Sequence, residues 1–247
     1  MNSKYFNTIY EDSDVLVINK PANLIVESEK KSDLTLETIL AKDYEIDLPR
    51  SGIVHRLDRD TSGLMVVVKS KKALVDLQNQ FASHKVKKIY YALVLGKLEP
   101  KKGTINIALK RDPKNRIRFV ASNSKDAKEA VTNYEVINYF KSQIINPKSQ
   151  TNPKLQISNG ENGELSFLKI SLITGRTHQI RAHFFAIGFP VIGDTVYKNS
   201  LSEELSKKLG LKGQFLHAGE LSFTHPTTKK TVAFKTELPD NLNRIIK

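Results

Sequence analysis

The stretch Ile53–Lys69, IVHRLDRDTSGLMVVVK, constrains this chain more than any other. Polar His55, Arg56, Asp58, Arg59, Asp60, Thr61 and Ser62 stand between apolar Ile53-Val54 and the run Leu64–Lys69. That run is short, apolar and rich in valine, the composition of a buried strand. A charged loop that feeds directly into such a strand holds a carboxylate and guanidiniums at the edge of a core, where they are rigidly placed. Read by itself, the same stretch also fits a polar turn at Thr61-Ser62-Gly63, with its acids capping backbone amides.

The surrounding pattern is that of an α+β chain. Strands are expected at Asp14–Lys20, Lys88–Leu95, Gly103–Leu109, Val131–Ile137 and Leu165–Leu172. Phe215–Phe223 and Lys230–Thr236 read as a closing hairpin. In Lys88–Leu95, Tyr90, Ala92 and Val94 share one face and Tyr91, Leu93 and Leu95 the other. Helices are expected over Asp33–Lys42, Lys71–His84, Thr177–Ile187 and Ser200–Leu209, the last with a Ser200/Glu203 capping box. Strands outnumber helices without alternating with them, which predicts a mixed, largely antiparallel sheet flanked by helices. Residues 141–163 are polar and turn-rich, and read as an insertion or long hairpin tip. The chain is expected to form one domain over residues 1–247.

Charge narrows the partner class. The chain carries 39 Lys+Arg against 26 Asp+Glu, a net of +13. Residues 1–50 hold 6 bases and 10 acids, so the remainder carries +17. Such a basic region suits a polyanion such as RNA, and equally fits a lysine-rich solvated surface. The sequence has no cysteine, which excludes disulfides, thiolate nucleophiles and cysteine metal sites. No apolar run approaches a bilayer span and the start lacks a signal-peptide plan, so a cytoplasmic, membrane-free protein is expected.

A second constellation is Thr174–Asp194, TGRTHQIRAHFFAIGFPVIGD. On a helix here, His178, Arg181 and Phe185 fall at i, i+3 and i+7, and Ile180, Phe184 and Ile187 form an apolar stripe beside them. Arg181 is therefore expected to point into the fold. His178 and His183 are five apart, which is not the spacing of a helical metal pair, so no metal is expected. His55-Arg56 with Asp58 is kinase-like only in passing, because no glycine-rich phosphate loop and no D-F-G accompany it. No motif indicates a cofactor.

Taken together, His55-Arg56-Leu57-Asp58 followed by Thr61-Ser62-Gly63 resembles the H-R-L-D-x-x-T-S-G signature of the RluA-type pseudouridine synthases. Val17–Ala22, Lys88–Ala92, Thr174–Asp194, Leu216–Ala218 and Thr224–Pro226 are similar to that family's remaining motifs and follow in its order, over roughly residues 9–240. The resemblance lacks the small N-terminal S4-type domain of many members.

The resemblance implies a cofactor-free isomerisation of uridine in rRNA or tRNA. The N1–C1′ bond breaks, the uracil turns, and a C5–C1′ bond forms. It assigns Asp58 as the nucleophile, Tyr90 as the phenol beside the base, and Arg181 as the guanidinium that orients Asp58. With base flipping, Arg56 is the candidate to fill the vacated stack or to hold the flipped backbone, with His55, Arg176 and His178 as further RNA contacts. A monomer is expected. The competing expectation is an RNA-binding or ribosome-assembly protein that keeps this fold without the chemistry, and retention of Asp58, Tyr90 and Arg181 argues against it.

Overall fold

The alternation and apolar runs of the sequence become strands wherever a second layer can cover them. The computed structural model describes residues 3–30, 32–141 and 163–247, and the polar stretch 141–163 lies outside these apart from its two end residues. The chain packs as two compact units, Met1–Ile89 with His217–Pro239 and Tyr90–Leu216 with Asp240–Lys247.

The first unit begins with β1 (Asn7–Glu11), β2 (Val15–Lys20), α1 (Leu36–Asp43), β3 (Ser62–Val68) and α2 (Lys71–Ala82). β1, β2 and β3 pair antiparallel in that order. All seven residues of β3 are buried, as its unbroken apolar pattern requires of a strand covered on both faces. Helix α2 starts where Ser70 accepts a hydrogen bond from the Ala73 N–H at 3.2 Å. Its buried Ala73, Leu74 and Leu77 join Val15, Val17, Val66 and Val68 in one core cluster. Truncating a fully buried leucine such as Leu77 costs about 2–5 kcal/mol. Helix α1 starts later than the sequence suggests because Thr35 and Thr38 cap each other reciprocally.

The second unit takes most of β4 (Lys87–Leu95), then β5 (Lys102–Asn106), β6 (Leu109–Arg111), β7 (Phe119–Ala121), β8 (Val131–Lys141) and β9 (Glu164–Leu172). Strand order is β4-β9-β8-β5, and β6 with β7 forms a separate two-stranded ribbon. Helices α3 (Gln179–Ala186) and α4 (Ser200–Lys208) follow. The expected Ser200/Glu203 box is replaced by one formed one residue earlier, between Asn199 and Ser202. This leaves Glu203 to pair with Lys198 and Lys207, each at 3.1 Å.

The chain then returns to the first unit as β10 (Leu216–Thr224) and β11 (Thr231–Lys235), before α5 (Asp240–Ile246) closes the second. β10 runs parallel to β3 and antiparallel to β11, so the sheet is mixed. The α+β expectation holds. Gly63 is required where β3 meets β10: its φ is 115°, and a Cβ there would lie 2.3 Å from the Ala218 carbonyl oxygen.

Candidate active site

The loop before β3 doubles back along that strand. Ile53 bridges Val67, and the Val66 N–H donates to His55 Nε2 at 3.0 Å. An Nε2 that accepts leaves the ring proton on Nδ1, so the imidazole is neutral. Burial, helped by the nearby Lys88 ammonium, pushes its pKa down to about 3. The ring also stacks on Phe81 at 4.6 Å. His55, expected to touch RNA, is in this unit the peg that ties the loop to the sheet.

Beyond buried Leu57 the chain turns. The Thr61 N–H donates to the Asp58 carbonyl at 3.1 Å. Between them, the Arg59 carbonyl accepts from Lys20 Nζ at 2.9 Å, and the same ammonium donates to Pro21 at 2.8 Å and Leu24 at 2.9 Å. Lys20 is completely buried. Desolvation brings its pKa down to about 7, against the opposing pull of the Asp58 and Asp60 carboxylates. On the far side of the turn, Ser62 Oγ hydrogen-bonds His217 Nδ1 at 2.9 Å. Burial lowers the His217 pKa to about 4, and the Thr236 backbone offsets only part of that. Asp58 is thus half-buried on a turn clamped at both ends. Arg56 and Arg59 are exposed, with Arg59 Nε on Asp60 at 3.0 Å. Lys20 and His217 stood inside the motifs Val17–Ala22 and Leu216–Ala218 without a role of their own. The available signals were a lone lysine ending an apolar strand before a proline, and a histidine inside an apolar strand.

The second unit holds Tyr90, Arg176, His178 and Arg181. Tyr90 is buried on β4, on the face it shares with Ala92 and Val94. Helix α3 begins at Gln179, two residues after the expected start, because His178 adopts a left-handed conformation with φ 57°. Gln179 explains the late start. Its Oε1 accepts from the Arg176 N–H at 2.9 Å and the Thr174 hydroxyl at 2.8 Å, and its amide nitrogen donates to Thr132 Oγ1 at 3.0 Å. His183 meets the same Thr132 hydroxyl at 2.9 Å. This buried polar chain fastens the loop and helix to β8. Arg176 is exposed, and its Nε donates to the Glu129 carbonyl at 2.9 Å.

Arg181 points inward, as the helical spacing predicts, and is 5% exposed. The carboxylate gripped by its Nε and Nη2 is that of Asp194, at 2.6 and 2.9 Å, a bidentate pair with an Asp194 side chain wholly buried. Asp194 Oδ1 also accepts from the Val196 and Tyr197 N–H groups at 2.8 and 2.9 Å. The row His178, Arg181, Phe185 converges on one ring: Tyr197 meets His178 at 5.7 Å, Phe185 at 6.0 Å and the Arg181 guanidinium at 5.2 Å. Asp194 stood at the end of the quoted motif without a role, and Tyr197 beyond it was missed.

In chemical terms, the first unit presents a half-buried carboxylate on a clamped turn between exposed arginines, and the second, taken by itself, holds a buried phenol and a fixed guanidinium. The family model for RNA pseudouridylate synthase matches residues 14–186. A ribosomal large subunit pseudouridine synthase D of Neisseria meningitidis serogroup A is 37% identical over 96% of this chain and 59% of its own length. An uncharacterized RNA pseudouridine synthase of Aquifex aeolicus is 34% identical over 97% of this chain and 71% of its own. Among solved structures, human RNA pseudouridylate synthase domain containing 1 aligns with a TM-score of 0.71 and 26% identity, over 95% of this chain and 84% of that one. This chain spans about three fifths of the Neisseria protein, and across that span its fold and its ordered motifs make it a member of the RNA pseudouridylate synthase family.

Proposed function

We propose that this protein isomerises specific uridines in structured RNA to pseudouridine, with the Asp58 carboxylate as nucleophile. The observation that carries the reading is the clamped turn. Lys20, Thr61 and the Ser62–His217 pair hold the backbone around Asp58, the preorganisation a carboxylate needs to attack a flipped nucleotide. Family membership supports the same role. The reaction balances within the nucleotide: C1′ leaves N1 and joins C5, the C5 proton goes to water, and N1 gains one. Tyr90 serves the base and its sugar proton, and Arg181 holds negative charge in place. Arg56, exposed two residues before Asp58, enters the stack that the uridine vacates.

Large-subunit rRNA is the proposed substrate, because named relatives act on the large ribosomal subunit. The protein is proposed to work as a monomer in the cytoplasm, as one catalytic domain. The test is tritium release from RNA labelled at uridine C5, comparing 23S rRNA with tRNA transcripts. Release from 23S rRNA is expected. Binding without release from either would favour an RNA-binding or assembly role.

A further inference from the structure

The ribbon β6–β7 carries an arrangement that the proposed chemistry does not use. Its connecting segment, Asp112–Arg118, reads DPKNRIR, and with Arg111 it presents Lys114, Arg116 and Arg118. Arg111, Lys114 and Arg116 are exposed, and none of these four cations has a carboxylate partner among the described residues. The acids nearby are already engaged. Asp112 Oδ1 accepts the Lys114 N–H at 2.9 Å, and Asp126 lies 3.7 Å from Lys110. Ile117, between two arginines, is 68% exposed.

The bases are not loose. The Arg118 guanidinium lies 5.2 Å from the Phe185 ring and 5.3 Å from Tyr197, and its buried Nε has no hydrogen-bond partner. Arg111 lies 5.4 Å over Phe119 and donates to the Arg116 carbonyl at 3.2 Å. The ribbon is fastened below by the Phe119 N–H, which donates to the Tyr197 hydroxyl at 2.6 Å. Tyr197 thereby carries Arg118 on its ring, together with Arg181. A guanidinium stacked on an aromatic face is immobilised while its charge remains uncompensated.

We infer that the β6–β7 ribbon is a preorganised docking arm for the phosphodiester backbone of the RNA, with Lys114 and Arg116 contacting phosphates and Ile117 lying against a ribose or base. Unpaired, exposed cations match a polyanion, and the aromatic seats of Arg111 and Arg118 at the two ends of the segment hold the ribbon that presents Lys114 and Arg116. This inference rests on the proposed RNA substrate and adds where its backbone is held.

The experiment is filter binding of a 23S rRNA transcript by the full chain, between roughly 50 and 200 mM salt. Lys114→Ser/Arg116→Ser is compared with Lys207→Ser/Lys208→Ser, which removes the same charge from α4, where both lysines are paired with glutamates. The ribbon variant should bind about 10-fold more weakly, and its slope of log K against log salt should be shallower by about 2. Its kcat at saturating RNA should match the parent, with the loss confined to KM. The α4 variant should show neither change. Equal effects from both variants, or an unchanged slope in the ribbon variant, would overturn the inference. If the parent protein releases no tritium and the ribbon variant still loses its salt slope, the docking arm stands and the isomerase reading falls.

Discussion

Lys20 Nζ donates to the backbone carbonyl of Arg59 at 2.9 Å, across 39 residues of sequence and one residue past Asp58. A fully buried ammonium is thus spent on three carbonyls, one of them in the turn that carries the proposed nucleophile. The placement of Asp58 depends on the N-terminal strand as much as on its own loop.

Asp58→Asn should abolish turnover and leave fold and RNA affinity nearly unchanged. The amide keeps the shape of the side chain and loses the anionic nucleophile. Multiple-turnover pseudouridine formation by a clean preparation would remove Asp58 from the reaction.

Lys20→Met should cut kcat more than it raises KM, because it releases the Arg59 carbonyl while leaving exposed RNA contacts in place. The stability profile supplies a second readout. With a folded pKa of about 7, below that of an unfolded lysine, the parent binds fewer protons folded than unfolded across the interval between them. Its stability should therefore climb with pH from about 7 toward 10, and urea midpoints of the Met variant should lack that component.

The acid limb belongs to histidine. Folded His55 and His217 are held near 3 and 4, below the unfolded imidazole value. Their contribution is complete above about pH 6.5 and is lost as pH falls through 4 toward 3. Urea titrations of the parent should show a steep fall over that window, and His217→Gln should flatten it. An identical slope in the two proteins would show that other groups control acid unfolding.

Arg181→Met should destabilise the fold by about 3–5 kcal/mol, since it strands the buried Asp194 carboxylate. Asp194 retains two backbone donors, which keep it in place without its guanidinium partner. Arg181→Met/Asp194→Asn should recover part of the loss. Strictly additive losses in this cycle would mean that the pair is energetically uncoupled.

Local periodicity made much of this protein legible. The unbroken run Leu64–Val68 could only be a strand covered on both faces, and the spacing of His178, Arg181 and Phe185 placed all three against one surface. Both readings depend on residues within two turns or one strand of each other, where backbone geometry alone dictates which side chains share a face. The proposed role of Asp58 as nucleophile came from the family resemblance, while its edge-of-core position was legible from a charged loop meeting a buried strand. Partner choice was not. Composition would leave Lys20 in water, yet it is buried because two nearby carbonyls and one from a turn 39 residues away satisfy it. Arg181 turns inward to a carboxylate 13 residues on, and His55 gives a ring nitrogen to a strand amide 11 residues on. Buried polar groups take whichever donors and acceptors the packed chain brings within hydrogen-bond reach, and no sequence spacing encodes that set.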